Sequence, residues 1–78
     1  MNNKEKYSNV FIETFGVDGD NLNGLEYNAI PQWDSVGHMS LMTALEESFN
    51  IMMDMDEIVG FNSYEKGMEI IGKHGVQF

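Results

Sequence analysis

Apolar residues of this chain recur at steps of three and four positions, the spacing of one face of an α-helix. The pattern is clear between Tyr7 and Phe15, and Gly16 follows where a left-handed residue would end a helix. We therefore expect a first helix over about residues 3–15. No stretch shows the period-two alternation of a half-buried strand, so the sequence predicts an all-α fold.

The strongest amphipathic pattern lies in the middle of the chain. It predicts a second helix that begins at Asp34 or Ser35 and runs to about Phe49. We expect its inward stripe to consist of residues at steps of three and four, namely Val36, Met39, Met42, Leu45 and Phe49.

Two shorter helical segments are predicted downstream. Asp54 can cap a short helix over about residues 54–59. The last helix begins after Asn62 or Ser63, since Asn62 and Glu65 have the spacing of a capping box. Its buried face is expected to contain Tyr64, Met68 and Ile71.

The 78 residues are expected to form one domain, a small bundle of three main helices plus one short helix. The chain has no cysteine, so packing alone must stabilise it. Residues 17–33 are rich in Gly, Asn and Asp but carry interspersed apolar side chains. This long loop is therefore expected to pack across the bundle. Long ordered loops in compact domains are often functional.

Charge limits the partners of the chain. The net charge is -9, and the stretch from Tyr7 through Glu65 contains eleven Asp and Glu residues but no Lys or Arg. Such a surface repels nucleic acid and anionic lipid and attracts basic proteins. No apolar run is long enough for a signal peptide or a membrane span, so we expect a soluble, cytoplasmic protein.

Ser35 is the candidate functional residue. It lies at the predicted start of the second helix, where backbone N–H groups and the helix dipole favour a phosphate. Asp34 can serve as N-cap and leave the Ser35 hydroxyl pointing outward. Gly37, in the first turn, suggests that something approaches the backbone closely. The Asp-Ser pair taken alone is also an ordinary helix start.

A catalytic site or a metal site is not predicted. His38 lies one turn from Ser35, but no carboxylate is placed to orient it, and an exposed helix surface is the expected position of His38. The loop from Asp18 to Gly24 does not fit the EF-hand pattern in either register, because position twelve is Ala29 or Ile30.

The stretch from Trp33 to Phe49 resembles the signature of acyl carrier proteins, in which Asp-Ser opens a helix that ends in Leu-Glu-Glu-x-Phe. Here Asp34-Ser35 is followed at the matching distance by Leu45-Glu46-Glu47 and Phe49. The resemblance extends upstream to Phe15-Gly16-Val17 and downstream through the acidic residues after Met53 to the final helix.

The resemblance implies that Ser35 carries a covalent 4′-phosphopantetheine arm, which a separate phosphopantetheinyl transferase takes from coenzyme A with Mg²⁺. The terminal thiol of the arm would hold an acyl group as a thioester. The chain itself would be a monomeric carrier rather than an enzyme. Its partners would be acyl- or aminoacyl-loading and acyl-transferring enzymes with basic docking patches.

The resemblance also implies a partner surface on the second helix and the turn after it. The matching acidic positions are Asp34, Glu46, Glu47, Asp54, Asp56 and Glu57, and the apolar contacts are Val36 and Met39 or Met53.

Two alternatives remain open. Gly37 and Ser40 stand where fatty-acid carriers often have acidic residues. Trp33 and the pair Gly37-His38 look more like those of carriers from specialised pathways, which include polyketide-type, surface-glycan and aminoacyl-loading systems. A stand-alone aminoacyl or peptidyl carrier would have the same fold and arm. An unmodified acidic adaptor, with Ser35 serving only as part of a helix start, is the second alternative.

Overall fold

The computed structural model describes residues 2–78, so Met1 of the expected domain lies outside the described part. The elements are α1 (Asn3–Phe15), a single 3₁₀ turn (Gly19–Asn21), α2 (Ser35–Phe49), α3 (Met55–Gly60) and α4 (Tyr64–Gly72). Within residues 2–78 there is no strand, only one isolated bridge between Glu26 and Ser63. The predicted all-α bundle of three main helices and one short helix is confirmed.

Local capping explains where α1 and α2 begin and end. The Asn2 side chain accepts a hydrogen bond from the Glu5 N–H at 2.8 Å, and Gly16 ends α1 with φ at 69°. Asp34 caps α2 at its start, and Asn50 ends it in the left-handed region with φ at 53°. These bounds match those predicted from the spacing of apolar residues and caps.

The caps of α3 and α4 match the prediction only in part. Asp54 and Glu57 form a complete capping box at the start of α3. At α4 the cap is Ser63, whose Oγ accepts from the Lys66 N–H at 3.0 Å. The predicted box of Asn62 and Glu65 is wrong, because the Glu65 carboxylate instead accepts from the Gly24 N–H.

An aromatic cluster fills the centre of the bundle. Phe11 is fully buried and packs edge-on against Tyr7, Phe15 and Trp33, with ring centroids 5.0 to 6.0 Å apart. Aromatic pairs of this geometry add to the stabilisation from burial itself. α1 therefore supplies one side of the core, and the loop after it supplies Trp33.

The inward face of α2 differs from the predicted one. Met42 and Leu45 are buried as expected, but Val36 and Met39 are 77% and 52% exposed, and Phe49 is only half-buried. The buried residues of α2 are His38, Leu41, Met42 and Leu45. Their stripe runs along the same helix but is turned away from Val36 and Met39, which leaves an apolar edge in solvent.

The loop between α1 and α2 packs on the bundle as predicted. Leu22, Leu25 and Trp33 are buried. The Tyr64 N–H donates to the Leu25 carbonyl at 2.8 Å, which ties the loop to the start of α4.

α4 contacts the core closely at Gly67. A Cβ atom there would lie 2.1 Å from the Tyr7 hydroxyl and 2.2 Å from the Phe61 ring. The Tyr7 hydroxyl donates to the Tyr64 carbonyl at 2.7 Å. Burial raises the pKa of Tyr7 above its usual value, with smaller contributions from Tyr64 and Glu65.

Within residues 2–78, no helix has the length and apolar character needed to cross a membrane.

Candidate functional site

Ser35 is the first residue of α2, and its side chain is exposed. The capping role belongs to Asp34, whose carboxylate accepts from the Gly37 N–H at 2.8 Å. The Asp34 carbonyl accepts from the His38 N–H at 2.7 Å and begins the helical hydrogen-bond series. Because Asp34 fills the cap, the Ser35 hydroxyl is not used for it and lies on the surface.

Gly37 allows a close approach, but the approaching group is another segment of the same chain. A Cβ atom at this position would lie 1.9 Å from the Gln32 carbonyl oxygen and 3.3 Å from the Phe15 ring. The Gln32 side chain in turn donates to the Phe15 carbonyl at 3.2 Å. The glycine therefore lets the loop that carries Asp34 and Ser35 press against the first turn of α2.

His38 is buried, which makes the predicted exposed position wrong. Trp33 Nε1 donates to His38 Nδ1 at 2.9 Å, and His38 Nε2 lies 2.8 Å from the Ile58 carbonyl oxygen. An indole nitrogen can only donate, so Nδ1 must be the acceptor and Nε2 must carry the proton. A neutral His38 thus joins the loop, α2 and α3 with two hydrogen bonds.

An apolar groove of about 440 Å³ opens beside Ser35, between α2 and α3. Ser35 and Tyr27 lie on its lining, together with the buried His38. Met55 and Val59 of α3 are about three-quarters exposed in the same groove. All of the lining residues lie in the described part of the chain, and none of them is Asp, Glu, Lys or Arg: Tyr27, Ser35, His38, Met39, Met55, Ile58, Val59, Phe61 and Asn62.

The outer face of α2 carries a second, shallower apolar surface that also begins at Ser35. It includes Val36 and Met39, and Glu47 lies at its far end. Ser35 and Met39 belong to both surfaces. The serine hydroxyl therefore lies where the groove meets the exposed face of α2.

Most of the residues that the resemblance assigns to a partner surface are exposed, but Met53 is buried. Val36, Met39, Glu47 and Asp56 are exposed, as a contact surface requires, and so are the capping residues Asp34 and Asp54. Met53 is only 4% exposed, so its expected role as a surface contact is wrong.

Two acidic residues of that set have internal partners. The Glu46 carboxylate accepts from the Met53 N–H at 2.8 Å and holds the segment after α2. The Glu57 carboxylate completes the capping box of α3 and lies 2.9 Å from His74 Nε2. These contacts stabilise the local structure of the segments that carry them.

Tyr27 and Trp33 are site residues that sequence reasoning did not assign. The Tyr27 hydroxyl lies 3.3 Å from Ser35 Oγ, and Trp33 fixes His38 below the groove. The sequence indicates Trp33 only as a feature typical of carriers from specialised pathways. Tyr27 lies in the irregular loop before α2, where no periodic spacing predicts which side chain will contact Ser35.

In comparisons with known proteins, the chain matches no family model, no curated protein and no solved structure. Within residues 2–78, no group of three or more His, Asp or Glu side chains is close enough to hold a metal ion.

Proposed function

We propose that this protein is an acyl carrier, in which Ser35 is the attachment point of a 4′-phosphopantetheine arm. The observation that carries the proposal is the position of Ser35. It is exposed at the first residue of a 15-residue helix whose cap is already supplied by Asp34. A phosphate ester on Ser35 would lie near the partial positive charge of the helix N-terminus, which favours an anion.

The surroundings of Ser35 fit such an arm. The hydroxyl is open to an approaching enzyme, and an uncharged groove begins beside it. When attached, the arm would supply the thiol that this cysteine-free chain lacks.

Attachment would be a phosphoryl transfer to Ser35. The Ser35 Oγ attacks the coenzyme A phosphorus that bears the pantetheine group, and the pyrophosphate P–O bond breaks. The nucleotide part leaves with the bonding electrons, and the serine proton passes to a base on the transferase. The transferase and its Mg²⁺ supply the catalysis, and the carrier supplies an accessible nucleophile.

The polarity of the groove favours an acyl cargo over an aminoacyl cargo. An aminoacyl thioester carries an ammonium group, and burying that charge without a partner is costly. The lining residues include no carboxylate that would pair with it. An aminoacyl group would therefore remain outside the groove, whereas an alkyl chain gains by entering it.

Partner enzymes would contact the exposed side of α2 and α3. Exposed apolar side chains lie there at Val36, Met39 and Met55. Glu47 lies on the same surface of α2 as Val36 and Met39, and Asp56 follows Met55 in the chain. An acidic surface of this kind accelerates association with basic partners more than it tightens binding. This role as a substrate carrier requires no catalytic residue in the chain itself.

The test is the intact mass of the purified chain after incubation with a broad-specificity phosphopantetheinyl transferase, Mg²⁺ and coenzyme A. We expect one phosphopantetheine adduct that maps to Ser35. Ser35→Ala should remain unmodified, whereas Ser40→Ala, at another exposed serine of α2, should be modified like the wild type. An unmodified wild-type chain beside a modified known carrier would favour the acidic adaptor instead.

A further inference from the structure

The Tyr27 side chain meets the proposed attachment point directly. Its hydroxyl oxygen lies 3.3 Å from Ser35 Oγ, and either group can donate the hydrogen bond. The distance is longer than the usual value of about 2.7–2.8 Å for two hydroxyl groups. The Tyr27 hydroxyl can therefore form a shorter hydrogen bond if the group at Ser35 becomes a stronger acceptor.

The backbone of Tyr27 is hydrogen-bonded to the segment between α3 and α4. Its N–H donates to the Asn62 carbonyl at 2.9 Å, and Glu26 and Ser63 form the isolated bridge next to it. These contacts fix the Tyr27 backbone against the segment between α3 and α4.

The ring of Tyr27 is also restrained. It packs edge-on against His38, with ring centroids 5.4 Å apart, and against Trp33, with centroids 6.3 Å apart. His38 is itself fixed by its hydrogen bonds to Trp33 and to the Ile58 carbonyl. A half-buried ring between fixed neighbours keeps its hydroxyl directed at Ser35 with little loss of rotamer entropy.

Attachment of the arm would change which group can donate. In the free chain both hydroxyl groups carry a proton, but esterification removes the proton from Ser35 Oγ. Tyr27 would then be the donor, and the acceptor would be the ester oxygen or an anionic phosphate oxygen beside it. Hydrogen bonds to a charged acceptor are shorter and stronger than those between neutral groups.

We propose that Tyr27 is a positioning residue for the arm: its hydroxyl orients Ser35 for phosphoryl transfer and then holds the phosphodiester at the mouth of the groove. This inference rests on the proposed carrier function. It adds that the first atoms of the arm have a fixed direction, since the phosphodiester is held on the side of Ser35 that faces the groove.

The kinetic test compares Tyr27→Phe with Tyr64→Phe. The first change removes the hydroxyl that meets Ser35 and keeps the ring against His38. The second removes a hydroxyl whose partner is Ser8, at 2.7 Å, on the far helix α1. We expect Tyr27→Phe to lower the transferase kcat about three- to tenfold, the effect of one hydrogen bond, with little change in KM for the carrier. Tyr64→Phe should leave both constants within about twofold of the wild type.

A spectroscopic test reads the phosphodiester itself. The ³¹P resonance of the loaded protein should shift and sharpen in Tyr27→Phe, because the phosphate loses its donor and moves more freely. In loaded Tyr64→Phe it should match the wild type. Circular dichroism of the two variants checks that both keep the wild-type helix content.

The outcomes separate the two proposals. Normal loading of the wild type, with unchanged kcat and ³¹P resonance in Tyr27→Phe, overturns the role of Tyr27 and leaves the carrier function standing. A wild-type chain that no transferase modifies overturns both. A loss of kcat with an unchanged ³¹P resonance overturns the proposed contact to the phosphodiester.

Discussion

α1 and α3 are held in the molecule by different kinds of interaction. α1 has 13 residues and buries Tyr7, Val10, Phe11 and Phe15 in the core. α3 has six residues, none of which is buried, and its Met55 and Val59 are about three-quarters exposed. The comparison shows that one small bundle can contain a helix fixed by apolar burial and another fixed mainly by polar contacts.

The polar contacts of α3 lie at its start, its middle and its surface. Asp54 and Glu57 form the capping box, the Ile58 carbonyl accepts from His38, and Glu57 contacts His74. Few buried apolar contacts mean a low free energy of local opening. Because α3 forms one wall of the groove beside Ser35, local opening there would widen the groove without unfolding α1.

The largest expected effect comes from truncating the α1 side of the core. Phe11→Ala should lower the free energy of unfolding by about 3–5 kcal/mol, because a fully buried ring leaves a cavity. Val59→Ala on α3 should change it by about 0.5 kcal/mol or less. Urea unfolding measures both, and similar losses for the two variants would contradict the distinction between the helices.

His38→Ala should have the next largest effect. It leaves the buried Trp33 Nε1 without its acceptor and the Ile58 carbonyl without its donor, which together cost about 2–4 kcal/mol. Hydrogen exchange followed by mass spectrometry should show that His38→Ala exchanges faster than the wild type over residues 55–60. The increase over α1 should be smaller. Uniformly faster exchange along the chain would argue against a specific role of His38 in holding α3.

Alkaline pH should weaken the α1 side of the core. Burial raises the pKa of Tyr7 in the folded protein, so the unfolded chain releases this proton at lower pH. Stability is therefore retained below about pH 10 and falls as the pH rises further, by about 1.4 kcal/mol per pH unit. At neutral pH, Tyr7→Phe should be about 1 kcal/mol less stable than the wild type, because it lacks the hydrogen bond to the Tyr64 carbonyl. At alkaline pH, its free energy of unfolding should fall less than that of the wild type.

Urea midpoints of the two proteins at neutral pH and above about pH 10 test this expectation. Equal alkaline losses in both would assign the effect to other groups.

The smallest expected effect is at the surface contact of α3. His74→Ala removes the contact to Glu57, and a partly exposed pair of this kind contributes about 0–1 kcal/mol. We expect faster hydrogen exchange confined to α3 with almost no change in the urea midpoint. A loss as large as that of His38→Ala would mean that the surface contact, not the buried histidine, fixes α3.

The sequence was sufficient to predict the helices and their ends. Caps such as Asp34 and Asp54 and the left-handed Gly16 act on their own backbone neighbours, so local pattern determines them. The exposed Ser35 followed from the same local logic, because a helix start with its own cap leaves the next side chain free.

The orientation of α2 could not be predicted from local pattern. Val36 and Met39 fit one stripe, His38 and Leu41 fit another, and Met42 and Leu45 belong to both. The choice between the stripes depends on what packs against the helix. The second stripe faces the core because His38 finds a donor in Trp33 and an acceptor in Ile58. Those partners come from the preceding loop and from α3, so only the folded chain brings them together.

The single tryptophan gives the protein a built-in optical reporter. Trp33 is fully buried, and its indole N–H is hydrogen-bonded to the histidine that lies beneath the groove. Its emission therefore comes from one defined site, and displacement of α3 would alter its intensity. If Ser35 is loaded as proposed, the fluorescence of the unlabelled chain can follow that loading, and the entry of an acyl chain into the groove, in real time.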